Sequence, residues 1–113
     1  MIYTAINKMG FHESSVIAFT FFNGDASLCI KDVMEADKSC SIEIHAPSSR
    51  LLIDDEVVEN FVIPKADGEI LSLKVSEKKL ALLVEWHFYP GSKTITQEYI
   101  ILANLITLRR INT

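Results

Sequence analysis

The stretch Gly10-Phe11-His12-Glu13-Ser14-Ser15 sets an imidazole, a carboxylate and two hydroxyls in consecutive positions, directly before an apolar run to Phe22. These are the groups of nucleophilic acyl transfer: a hydroxyl that attacks, an imidazole that takes its proton, and a carboxylate that orients the imidazole. That chemistry needs the three groups to converge in space, whereas neighbours on an extended chain point to alternate sides. A hydroxyl beside a carboxylate where a strand begins reads instead as a local turn, held by side-chain to backbone hydrogen bonds. The spacing assigns the cluster to structure, and no catalytic residue is assigned anywhere in the chain.

A second constellation is Glu85 and His87, two residues apart and opposite Trp86 on an alternating run, with His45 as a further imidazole. Two ligands on one strand face do not make a metal site; a third, from His12 or Glu13, is needed. The pair therefore reads as a half-exposed strand face, with no metal and no cofactor expected. Gly10, Gly24, Gly68 and Gly91 stand too far apart to form a phosphate-binding loop. The two cysteines, Cys29 and Cys40, fall out of phase and in phase, respectively, with their apolar neighbours. They are expected on opposite faces, unpaired and reduced, which fits a cytoplasmic location.

The elements that must position these residues are strands, because apolar alternation with period two runs through the chain. Ile17, Phe19 and Phe21 alternate before Asn23-Gly24, and Leu28 and Ile30 follow, which predicts a hairpin over residues 15–33. Ile42 and Ile44 alternate over residues 40–46, and Pro47-Ser48-Ser49 ends the run. Short strands are predicted at Leu51–Ile53, Val57–Val58 and Phe61–Ile63, and a turn at Asp67-Gly68. Leu71, Leu73 and Val75 alternate next, then Leu80, Leu82, Val84, Trp86 and Phe88, and Pro90-Gly91 turns the chain. The runs Thr94–Leu102 and Leu105–Ile111 complete the pattern, and no stretch holds helical periodicity long enough to be convincing. The expected fold is all-β: an antiparallel β-sandwich or partly open barrel of about eight strands.

With 113 residues, 49% hydrophobic and 23% charged, the chain has the size and composition of one globular domain over residues 1–113. No segment reads as a signal peptide or as a membrane span. The formal net charge is −4, but it is unevenly placed. Between Asp32 and Glu69 stand ten acids against three bases, a net of −7, while the remainder holds five acids against eight bases. A segment so acidic does not fit phosphate contacts, so nucleic-acid binding is not expected. It fits either a solvated face or a surface that attracts a basic protein.

One resemblance covers most of the chain, from about Phe11 to Ile101. Phe11-His12-Glu13-Ser14 leads to an apolar hairpin, followed by Ile53-Asp54-Asp55-Glu56, Asn60-Phe61 and Asp67-Gly68-Glu69-Ile70-Leu71. Leu82-Leu83-Val84-Glu85-Trp86 and Tyr99-Ile100-Ile101 come after them. This order resembles small cytosolic immunity proteins of bacterial polymorphic-toxin and contact-dependent growth inhibition systems. The resemblance implies a non-enzymatic protein that binds the C-terminal domain of a cognate toxin, commonly a basic nuclease, and blocks its active site or substrate path. Charge alone, not the resemblance, nominates Asp54, Asp55, Glu56 and Glu59, with Asp67 and Glu69, as toxin-facing residues. The alternative is a small β-sandwich that binds a ligand or carbohydrate on Trp86, Tyr89 or Tyr99. A structural module that assembles through its edge strands is a third.

Overall fold

A computed structural model describes residues 2–111. Helix α1 (Ile2–Asn7) precedes ten strands: β1 (Ser15–Phe22), β2 (Asp25–Glu35), β3 (Lys38–Ala46), β4 (Arg50–Ile53), β5 (Glu56–Val58), β6 (Phe61–Val62), β7 (Asp67–Val75), β8 (Lys79–Phe88), β9 (Lys93–Leu102) and β10 (Thr107–Ile111). The pairings are antiparallel and join one sheet in the order β10-β3-β2-β1-β7-β8-β9-β4-β5, with β6 pairing β1 off that path. The fold is all-β, as the alternation implies, with ten strands rather than about eight. The sheet stays open, with β10 and β5 at its edges.

Three of the hairpins close on two-residue turns, and each such turn holds both central residues at positive φ: Asn23-Gly24 (51° and 73°), Ala36-Asp37 (50° and 64°) and Asp54-Asp55 (48° and 69°). That geometry matches the right-handed twist of the flanking strands. Only the first has the sequence signature of such a turn.

Bulges correct the simple alternation in two places. The register shifts between Val16 and Ala18, so Val16, Phe19 and Phe21 are buried and Ile17 is turned out to solvent. A shift between Ile70 and Ser72 likewise buries Ile70, Leu73 and Val75 and exposes Leu71. One extra residue in a strand reverses the face of everything before it, and apolar spacing alone does not reveal it. Asp67-Gly68 is not a turn either: Asp67 pairs with His87, and Gly68 with both Trp86 and Val16. A Cβ at Gly68 would lie 2.5 Å from Cζ3 of Trp86, so this glycine makes room for the indole ring.

The sheet is folded over on itself. Phe19 on β1 and Tyr99 on β9 meet edge to face with ring centroids 5.2 Å apart, and Phe61 packs at 5.1 and 5.3 Å from them. In a flat sheet, strands three positions apart lie roughly 14 Å from one another. The two halves therefore face each other across a core. Phe19, Leu28, Ile30, Ile42 and Ile44 come from one half, and Leu51, Leu80, Leu82, Val84, Trp86 and Ile101 from the other. Among the described residues β1 and β7 pair at two positions, Ser15–Glu69 and Val16–Gly68.

Helix α1, too short to leave a periodic signal, covers the far end of β7. It buries Ile6, and the Asn7 side chain satisfies both backbone groups of Val75, donating to its carbonyl at 2.7 Å and accepting from its N–H at 3.0 Å. Among the described residues no helix is long and apolar enough to cross a membrane.

Candidate functional site

The opening cluster separates in space. Ser14 is fully buried, and its hydroxyl donates to the Asp32 carbonyl at 2.8 Å. Its backbone N–H donates to Phe11 and its carbonyl accepts from Ile70, tying the turn to β7. His12 and Glu13 project into solvent, 4.0 Å apart, with Glu13 at φ 66°. No hydroxyl, imidazole and carboxylate converge among these residues. Cys29 and Cys40 are free, and burial, with the Glu43 carboxylate beside it, pushes the Cys29 thiol up, away from the reactive thiolate.

The charge-rich middle of the sequence is dispersed by the fold. Glu35 is paired by Arg110 and Glu43 by Arg109, both cations coming from β10. The Arg110 hydrogen bond lowers the Glu35 carboxyl below its usual range. Asp54, Asp55 and Glu56 form the exposed tip of the β4–β5 hairpin, and Glu59 is exposed just beyond it. Within that tip Asp54 has a structural task, because its carboxylate accepts from the Glu98 N–H at 2.9 Å and its own N–H donates to the Glu98 carbonyl. Asp67 and Glu69 lie on β7, with β8, β9 and β4 between them and β5.

Register shows how far the two groups share a face: Asp54 borders the face that carries Asp67 and Glu69, whereas Glu56 pairs with Ile53 and so aligns with the buried Tyr99. Directly opposed residues of neighbouring strands share a face, so the outer face of the second half can be read in rows. Arg50, Leu102 and Lys79 make one row. Val57, Leu52, Ile100, Ala81 and Lys74 make the next. Glu98, Leu83 and Ser72 follow, with Asp54 beside Glu98. Then come Thr96, Glu85 and Glu69, and after them Thr94, His87 and Asp67. The face thus passes from basic through apolar to acidic along the strand direction. Within the apolar row Val57 is 64% exposed and Leu52, Ile100 and Ala81 are half-buried, and Leu102 in the row before it is 38% exposed. Composition found the acids; the apolar band that accompanies them needs the strand order.

At the acidic end three side chains converge. His87 Nε2 lies 3.2 Å from a Glu85 carboxylate oxygen and 3.5 Å from one of Glu69, and the donor atoms of all three fall within 4.8 Å of one another. The third partner of Glu85 and His87 is therefore Glu69, and not His12 or Glu13. The β7–β8 register sets Glu69 directly against Glu85, a relation across sixteen residues of sequence that spacing does not display.

No family model, curated protein or solved structure matches the chain. Its own geometry must carry the functional reading. Trp86 and Tyr99 are fully buried, with the indole N–H donating to the Tyr99 hydroxyl at 2.8 Å and that hydroxyl to Gln97 at 2.8 Å. Tyr89 alone of the three candidate stacking rings is exposed.

Proposed function

We propose that this chain is a binding protein of the immunity type, which covers the working surface of a basic, nuclease-type toxin domain in the cytoplasm. The observation that supports it is the outer face of β7-β8-β9-β4-β5, where a partly exposed apolar band borders an end that carries Glu69, Glu85 and Asp67. Apolar contact holds a complex together, while surrounding charges of one sign speed the encounter with a partner of the other. An enzyme's phosphate-binding surface is basic, so an acidic face competes with its nucleic-acid substrate for the same ground. The order of short motifs in the resemblance noted above implies the same class of protein.

The decisive experiment expresses the C-terminal region of the protein encoded immediately upstream, with and without this chain. Growth arrest relieved only by co-expression is the expected result; a harmless neighbour, or arrest that persists, overturns the proposal. With a purified pair, Asp55→Lys, Glu56→Lys and Glu59→Lys combined should slow association about tenfold or more and weaken its dependence on salt. Asp54 stays intact in that variant because it holds the hairpin. Unchanged kinetics would remove the hairpin tip from the interface.

A further inference from the structure

The geometry points to a divalent transition-metal site of the zinc class at Glu69, Glu85 and His87. Zinc bonds of about 2.0–2.1 Å in tetrahedral array set neighbouring donor atoms roughly 3.3 Å apart. The two contacts of His87 Nε2, at 3.2 and 3.5 Å, bracket that edge length. His87 Nε2 is thus spaced from each carboxylate as one ligand is from its neighbour, and all three donor atoms lie within 4.8 Å of one another.

Electrostatics argue in the same direction. Glu69 and Glu85 are directly opposed across β7 and β8, an arrangement that costs stability when both are charged. Among the described residues no lysine or arginine forms an ion pair with either; His87 is the partner of both. A divalent cation held between the two would balance both carboxylate charges. An N,O,O donor set with imidazole suits zinc, whereas calcium and magnesium require more ligands, all oxygen.

The scaffold supplies positioning. All three residues sit inside long, paired strands instead of loops, and the side chains are partly sheltered, 30% exposed at His87, 33% at Glu85 and 44% at Glu69. Rigid elements hold ligands more accurately than loops do. Glu69 and His87 also line a shallow depression bordered by Glu13, Ser15 and Asp67, which leaves the cluster open to solvent on that side.

The site does not depend on the proposed partner, because its test needs the chain alone. After dialysis against a chelator, the full chain is titrated with zinc chloride by calorimetry, and with cobalt(II) for its visible absorption. Expected are one saturable site of micromolar affinity, tetrahedral cobalt bands, and a melting temperature raised by roughly 10 °C at a hundredfold excess over Kd. His87→Gln should abolish binding and Glu69→Gln should weaken it about tenfold, both with Trp86 emission unchanged. His45→Gln should bind as the unaltered chain does. Absence of a saturable zinc site, or zinc affinity retained in His87→Gln, overturns the assignment.

Discussion

The Tyr99 hydroxyl sits at the end of a buried relay, taking the Trp86 indole proton and giving its own to Gln97. Burial pushes its pKa up to about 12. A tyrosine in the unfolded chain ionises near pH 10, so the folded state holds the proton more firmly. The stabilisation is complete below about pH 10 and is lost as pH rises through about 12. Alkaline titration followed by phenolic ultraviolet absorbance should show a late component that coincides with unfolding and is missing in Tyr99→Phe. The same substitution strands the indole N–H and should cost about 1–3 kcal/mol in denaturant unfolding. Trp86's burial is legible in the apolar alternation around it. The identity of its partner is not, because it depends on how β8 aligns with β9.

The strands themselves are the most readable level of the molecule, since alternation in Leu80 through Phe88 or Ile42 through Ala46 reflects one buried and one solvated face. What escapes is whatever breaks period two. Ile17 and Leu71 look like core residues by spacing, and bulges turn them outward. Ala36-Asp37 closes the β2–β3 hairpin without glycine or asparagine, and Ala36 bears φ 50° despite its Cβ. The left-handed region costs an ordinary residue about 1–2 kcal/mol, of which glycine's greater unfolded freedom returns only part. Ala36→Gly should therefore stabilise the protein, by about 0.5–1 kcal/mol and roughly 3–5 °C in Tm. A lower Tm on a thermal scan would mean that the turn is not strained at this position.

At the scale of the whole molecule, two half-sheets are joined at one corner, and Gly68 occupies it, between Val16 of one half and Trp86 of the other. Gly68→Ala forces the indole ring to move and should destabilise the fold by about 1–3 kcal/mol. Trp86 emission should shift to the red if the ring is displaced; an unshifted spectrum with unchanged stability would show that the corner has slack. The candidate surfaces obey the same rule of legibility. Acidic residues could be counted in the sequence, but the fold pairs Glu35 and Glu43 with β10, leaves Asp55 and Glu56 at a hairpin tip, and sets only Asp67 and Glu69 beside Glu85 and His87. The connection of β10 to β3 also bears on synthesis. Thr107, which pairs with His45, follows it by 62 residues. At about 5–20 residues per second, that interval on the ribosome lasts roughly 3–12 seconds. Throughout it β3 can pair with β2 but offers its other edge to any passing strand. The charged and polar side chains of Glu43 and His45 then stand guard over a nascent chain well before Arg109 arrives to close the gap.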